Sequence, residues 1–219
     1  MKGGNGMDKN LQELYTKKIG TVIRNLEKNN MKGTFLKDRE ELIAFLDERI
    51  KDKASVAVGG SMSLFELDLI DYLRNREVDF FDRYAEGITP ERVKEIYRKS
   101  FTADFYLTSA NALTLDGYIY NVDGTGNRVA AMLYGPDKVY VIVGANKLVG
   151  SIEEAVARVR EIAAPANCIR LNRNTPCVVT GSCMDCHVPD RICNEYTLIK
   201  RQGVKDRIEV LLLPFELGY

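Results

Sequence analysis

An excess of charge of one sign is missing from this chain: 31 Lys and Arg face 31 Asp and Glu across 219 residues, so the formal net charge is zero. A balanced chain has no overall field to recruit nucleic acid or an anionic membrane, and only a local basic patch stays open to it. Long hydrophobic runs are missing as well. Nothing approaches the roughly 18 apolar residues of a membrane span, and mean hydropathy is −0.21. The opening MKGGNGMDKN lacks the apolar centre of a secretory signal. Its Gly and Asn content reads as a disordered leader over residues 1–10, ahead of one domain over 11–219. Internal repeats and other low-complexity tracts are absent. A cytoplasmic location is expected, where thiols stay reduced, which makes five cysteines a feature to explain. Composition is otherwise ordinary, with 45% hydrophobic and 28% charged residues, and it excludes a disordered chain.

What is present is alternation. Leu11, Leu14, Tyr15, Ile19, Val22, Ile23 and Leu26 recur at helical spacing, and Asp38 with Glu41 opens a second helix, so residues 11–50 are expected to be helical. The pattern then shifts. Short apolar runs at 55–58, 78–81, 105–108, 139–143 and 208–213 read as strands. Between them come capped helices, starting at Ser63 with Glu66, Thr89 with Pro90, Arg128, and Ser151 with Glu154, the last ended by Pro165. Two β-prone runs around Asp116-Gly117 predict a hairpin over 112–122 with a type I′ turn. Strands alternating with helices imply an α/β fold with a mostly parallel sheet. Residues 165–203, rich in Cys, Pro, Asn and Arg, read as an irregular appendage.

Three segments carry residues suited to chemistry. Gly59-Gly60-Ser61 ends the first strand, where glycines bring backbone N–H groups close to a ligand. It is neither a Walker A loop nor a dinucleotide fingerprint, and a tight turn alone would explain it. The second segment runs from Asn121 through Asp123, Gly124, Thr125, Gly126 and Asn127 to Arg128, with Thr108, Ser109 and Asn111 closing the preceding strand. Its amides and guanidinium suit a small anion; Arg128 is expected to hold the anion and Asp123 to act as acid, base or orienting carboxylate. A loop whose Asx side chains bond their own backbone is the plainer alternative. The third is Cys177, Cys183, Cys186 and Cys193, spaced C-x5-C-x2-C-x6-C, with Cys168 upstream and the sole histidine, His187, beside Cys186. Such thiols suit Zn²⁺ or an iron–sulfur cluster, a reversible disulfide, or inert burial.

These strings resemble the LUD domain family: Gly59-Gly60-Ser61-Met62-Ser63-Leu64, Thr108-Ser109-Ala110-Asn111-Ala112, Asn121-Val122-Asp123-Gly124-Thr125-Gly126-Asn127-Arg128 and Val141 to Lys147. The stretch from Asn172 to Cys193 is similar to the end of short, single-domain members. The resemblance spans about Leu11 to Tyr219 and implies a NagB/RpiA/CoA-transferase-like fold, a mostly parallel sheet flanked by helices. It implies a role in lactate or related organic-acid utilisation; the residues themselves point to a small anionic molecule held between the 59–63 turn and the 121–128 loop. Two alternatives remain. One is a non-catalytic accessory or regulatory subunit beside other lactate-utilisation subunits of an iron–sulfur system. The other is a standalone isomerase or CoA-transfer enzyme, against which no nucleophilic Glu loop is recognisable, since Glu66 lies one turn into a helix. Nucleic acid and membrane are not expected as partners; a homodimer is, through the apolar face of residues 8–29.

Overall fold

The computed structural model describes residues 8–219. In chain order its elements begin with α1 (Lys9–Lys28), β1 (Lys32–Phe35), α2 (Arg39–Arg49), β2 (Ser55–Val58), α3 (Met62–Glu66), α4 (Leu69–Arg74) and β3 (Asp79–Phe81). There follow α5 (Pro90–Lys99), β4 (Phe105–Thr108), β5 (Ala112–Thr114), β6 (Ile119–Asp123), α6 (Asn127–Leu133) and β7 (Lys138–Gly144). The last are β8 (Leu148–Val149), α7 (Ile152–Arg158), α8 (Ala164–Arg170), α9 (Pro176–Thr180), β9 (Glu195–Ile199) and β10 (Ile208–Leu213). Six strands form one parallel sheet in the order β1-β10-β7-β4-β2-β3. This is the expected α/β class. A smaller sheet, β8-β5-β6-β9, packs beside it with mixed pairing.

Strand alternation splits the core between two faces. Val139, Val141 and Val143 of β7, with Ile208, Val210 and Leu212 of β10, meet Ile19, Val22 and Leu26 of α1 and Val129 and Met132 of α6. On the opposite face Tyr140, Ile142, Leu211 and Leu213 meet Leu42, Phe45 and Leu46 of α2 and Leu64 and Leu69 beyond. A parallel sheet covered on both faces reads as near-continuous apolar runs, which is how β7 and β10 were visible. The central strands all end at one rim: Gly59 follows β2, Ser109 follows β4 and Ala145 follows β7. From β2 the chain crosses outward to β3 and then returns past β2 to β4 on its other side. Such a switch point opens a crevice at the carboxyl ends of the strands.

Several expectations need correction. The span 11–50 is not all helix, because Lys32–Phe35 is the edge strand β1. Only four residues long and never fully buried, it has no apolar alternation to betray it. Of the expected leader, Asp8 caps α1, accepting from Asn10 N at 3.0 Å, and residues 9–10 are helical. Residues 1–7 lie outside the described residues. Ser63 caps no helix: it sits inside α3, and a left-handed Asp68 separates α3 from α4. Pro165 does not end its helix. A π-helical turn at Val159–Ala163 precedes it and α8 runs on to Arg170, so the missing proline N–H falls where the ladder is already shifted. The hairpin turn is a three-residue loop rather than type I′, with Gly117 alone at positive φ and Gly117 N donating to Thr114 O. Gly117 also lies against the Leu26 backbone, where a Cβ would come within 2.9 Å. Within 165–203, α8 runs to Arg170, α9 covers Pro176–Thr180 and β9 pairs antiparallel with β6, so only the stretches between them and 200–203 are irregular.

Leu211 is fully buried in the second-to-edge strand β10. Leu211→Ala is expected to cost about 2–5 kcal/mol in denaturant unfolding; a loss under about 1 kcal/mol would contradict this packing.

Candidate functional site

Arg128, the second residue of α6, is buried and its guanidinium is fully engaged. Nε donates to Asp123 Oδ1 at 2.8 Å, Nη1 to Asn121 Oδ1 at 2.6 Å and to Ser109 O at 3.0 Å, and Nη2 to Asn111 Oδ1 at 2.9 Å and Val122 O at 3.2 Å. Asp123 is equally committed. Its Oδ1 also lies 2.7 Å from Arg128 Nη2, and its Oδ2 accepts from Arg128 N at 3.1 Å and Val129 N at 3.2 Å. Asp123 thereby caps α6, whose N-cap residue Gly126 has no side chain to do so. The expected roles change accordingly. Arg128 has no donor left for an anion, and Asp123 has its oxygens filled by donors; both hold the loop rather than a substrate. Asn111 and Asn121 close the same network, with Asn111 N donating to Asn121 Oδ1 and Val122 N to Asn111 Oδ1.

This network braces the wall of a cavity of about 530 Å³ at the rim where β2, β4 and β7 end. That size suits a small-molecule site. Gly60, Ser61, Ser109, Asn111, Asp123, Gly124, Thr125, Asn127 and Arg128 line it, so the two glycine-bearing loops face one another across it. Gly59, Thr108, Asn121 and Gly126 stand behind the wall. Gly59 is needed there because a Cβ would lie 2.5 Å from Thr108 Oγ1 and 2.9 Å from Arg128 Cγ.

The rest of the lining was not singled out by residue chemistry: Arg83, Lys147, Arg170, Arg173 and Arg191, with Tyr219 from the chain end, although Lys147, Arg173 and Arg191 fall inside the strings that resemble the family. With Arg128 they make six cationic side chains around the cavity against two carboxylates, Asp123 and Asp190. Within a chain of zero net charge, this crevice carries a local excess of positive charge. Among the described residues, three buried polar atoms of this lining have no well-aligned hydrogen-bond partner: Ser61 Oγ, Arg83 Nε and Tyr219 Oη, the last lying beside the Arg170 guanidinium. The Arg83 side chain is otherwise fixed, Nη2 donating to Tyr97 Oη at 2.6 Å. Lys147 had one legible signal, its place just past the most strand-like run, at the end of a central strand.

Lys147 is almost wholly buried, and its Nζ donates to Ser63 Oγ at 2.9 Å and Ser109 Oγ at 3.0 Å. Burial, reinforced by the Arg158 and Arg128 charges and opposed by Glu66, brings its pKa down to about 7. Ser63 Oγ donates onward to Leu217 O at 3.2 Å, tying the chain end to this cluster.

The cysteines gather elsewhere. Cys168, Cys177, Cys183, Cys186 and Cys193 all line a second, small cavity, and all are unpaired. Among the described residues no three His, Cys, Asp or Glu side chains stand close enough to grip a metal ion as they are. His187 is exposed and does not line that cavity. Among the described residues no helix is long and apolar enough to cross a membrane.

With this geometry in place, comparisons with known proteins can be read. A model of the LUD domain matches residues 19–213. The crystal structure of a DUF162 family protein from Deinococcus radiodurans aligns with 91% of this chain and 98% of its own, at 14% identity and a TM-score of 0.52. At that identity the likeness speaks for the fold alone. Ribose 5-phosphate isomerase from Plasmodium falciparum aligns with 51% of this chain and 52% of its own, at 13% identity and TM-score 0.32. A Pseudomonas malonate decarboxylase hetero-tetramer in complex with malonate covers 64% of this chain and 35% of that chain, at 16% identity and TM-score 0.34. Neither of these two carries weight for fold or activity. No curated protein matches the chain.

Two predictions follow from the buried cations. Arg128→Met leaves Asp123 buried and unpaired and is expected to cost about 3–5 kcal/mol in urea unfolding. Arg128→Lys should recover only part of this, because an ammonium cannot reproduce the fork; a Met variant within about 1 kcal/mol of wild type would contradict the network. For Lys147 the sign runs as a penalty. Below about pH 7 the side chain is charged both folded and unfolded, and the cost of burying the charge is full. Between about 7 and its usual 10.5 the folded form is neutral while the unfolded form still binds a proton, so stability climbs with pH. The stability of wild type minus Lys147→Met should therefore rise from pH 7 to 9, by up to about 1.4 kcal/mol per pH unit. A flat difference would show that the lysine is not desolvated.

Proposed function

The chain belongs to the LUD domain family, and on that premise we propose that its rim cavity binds a small anionic metabolite, an organic acid of the lactate type or a phosphate-bearing relative. The observation that carries this reading is the set of unpartnered buried atoms, Ser61 Oγ, Arg83 Nε and Tyr219 Oη, on one cation-rich cavity. Leaving a buried donor unsatisfied costs about 1–3 kcal/mol, so orphaned polar atoms are uncommon in native proteins and call for a partner. An anion with acceptor oxygens satisfies Arg83 Nε and the Tyr219 hydroxyl and offsets the charge of Arg170 and Arg173. Arg128 and Asp123 supply the fixed wall. Lys147, poised between its charged and neutral forms, gains a proton when an anion arrives beside it, so binding weakens as pH rises through 7 to 9.

Family resemblance favours lactate and its oxidation partners as the first ligands to try. A role as an accessory subunit in such a system uses the same cavity without chemistry of its own.

The test is a thermal-shift series with lactate, pyruvate, phosphate and CoA on wild type and on Arg83→Ala with Arg170→Ala. At about a hundredfold over Kd a ligand contributes about 2.7 kcal/mol, which for a chain of this size raises Tm by roughly 5–10 °C. At least one anion should do so in wild type and not in the double variant. No shift with any of them at millimolar concentration, or equal shifts in the variant, would contradict the reading.

A further inference from the structure

The five-cysteine cavity stands apart from the function proposed above. Residues 171–194 run for 24 positions with no strand and one short helix, α9. Only Thr175 and Cys177 of this stretch are buried. An irregular segment of this length with so little apolar burial needs another means of being held. The cysteines converge where that means would act: every cysteine of the chain lines one cavity of about 20 Å³, beside Thr175, Met184, Asp185 and Arg191. Space of that order holds a single water or ion.

Around these sulfurs the loop is held by a few fixed contacts. Asp185, between Cys183 and Cys186, takes the left-handed conformation at φ 48°, and its N–H donates to Cys183 Sγ at 3.5 Å. Thr175 Oγ1 lies 3.2 Å from Cys177 Sγ. Arg191 reaches over the loop, donating to the carbonyls of Cys186 and Cys193 and pairing with Asp185 at 3.0 Å. It is the one cation lining this cavity and can offset the negative charge of thiolates around a metal. Metal coordination takes thiols as thiolates, so binding there releases protons.

We infer that Cys177, Cys183, Cys186 and Cys193 close around a single thiolate-bound Zn²⁺ that staples residues 171–194 to the domain. As they stand the thiols surround the void without meeting at one ion's distance. Three of the four ligands lie in turns rather than in a helix or strand, and closure on a metal breaks no regular element. Cys168, on α8 against Cys177, stays a buried thiol and supports the site without ligating. Arg191 and Ile192 line both this cavity and the anion cleft, so the metal also sets one wall of the cleft.

The experiment is metal and sulfide analysis of the full chain, purified without oxygen from cells supplied with iron and zinc. Stoichiometric zinc supports the centre, whereas iron with acid-labile sulfide overturns the single-ion site. Cys186→Ser should lose the zinc while Cys168→Ala keeps it. Wild-type chain that carries no zinc, and takes up no Zn²⁺ on reconstitution, overturns the proposal, as does a Cys186→Ser chain with full zinc content. Limited proteolysis of wild type gives a second reading, with cleavage inside 171–194 expected after chelation and not before; equal cleavage overturns the stapling role. None of these readouts depends on an anion binding the cleft.

Discussion

The Arg128 guanidinium is the point on which the rim of this protein depends. It ties together four segments: the end of β4 through Ser109 and Asn111, β6 through Asn121 and Asp123, the start of α6 through its own backbone, and, from far off in sequence, the turn after β2 through contact with Gly59. A buried arginine with each N–H donating and a carboxylate on its fork is stable only if the whole network is kept, since removal of one partner strands a charge. The reward is a rigid wall. Backbone loops rich in glycine would otherwise sample many conformations, and here they are fixed by one planar cation. The groups that remain unpartnered, Arg83 Nε and Tyr219 Oη among them, are thus presented in a defined place.

This division of labour explains which parts of the site were legible in the sequence. The string from Asn121 to Arg128 drew attention because its polar and glycine residues stand beside an apolar helix, and the structure does put it on the cavity. What composition could not reveal is whether Arg128 faces inward or outward, because that turns on Asn111 and Ser109, brought in by the hairpin. Arg83, Arg170 and Arg173 escaped notice for the opposite reason. Each lies among ordinary surface charges, and only the return of the chain over the rim gathers them. Tyr219 reaches the site through the last residues after β10, a route that no local pattern encodes.

The fold was more legible than the site. Strands buried on both faces, such as β7 and β10, are continuous apolar runs, and capped helices such as α2 and α7 begin at their expected residues, with Glu41 N on Asp38 and Glu154 N on Ser151. Edge and outlying elements were not. β1, β8 and β9 are short or half-exposed, and tertiary pairing rather than propensity makes them strands. Pro165 misled because a shifted helical turn absorbs it, a tertiary accommodation with no sequence signature.

Arg128 is bound into the wall while Arg83 and Arg170 face the cleft, and locating a bound anion tests that separation most directly. Crystals soaked in bromide or a carboxylate, read by anomalous or difference density, should show the anion against Arg83 Nε and the Tyr219 hydroxyl, with the Arg128 fork still on Asp123, Asn121 and Asn111. An anion seated on a released Arg128 fork, or an empty cleft with Arg83 and Tyr219 bonded to each other or to water alone, would contradict it.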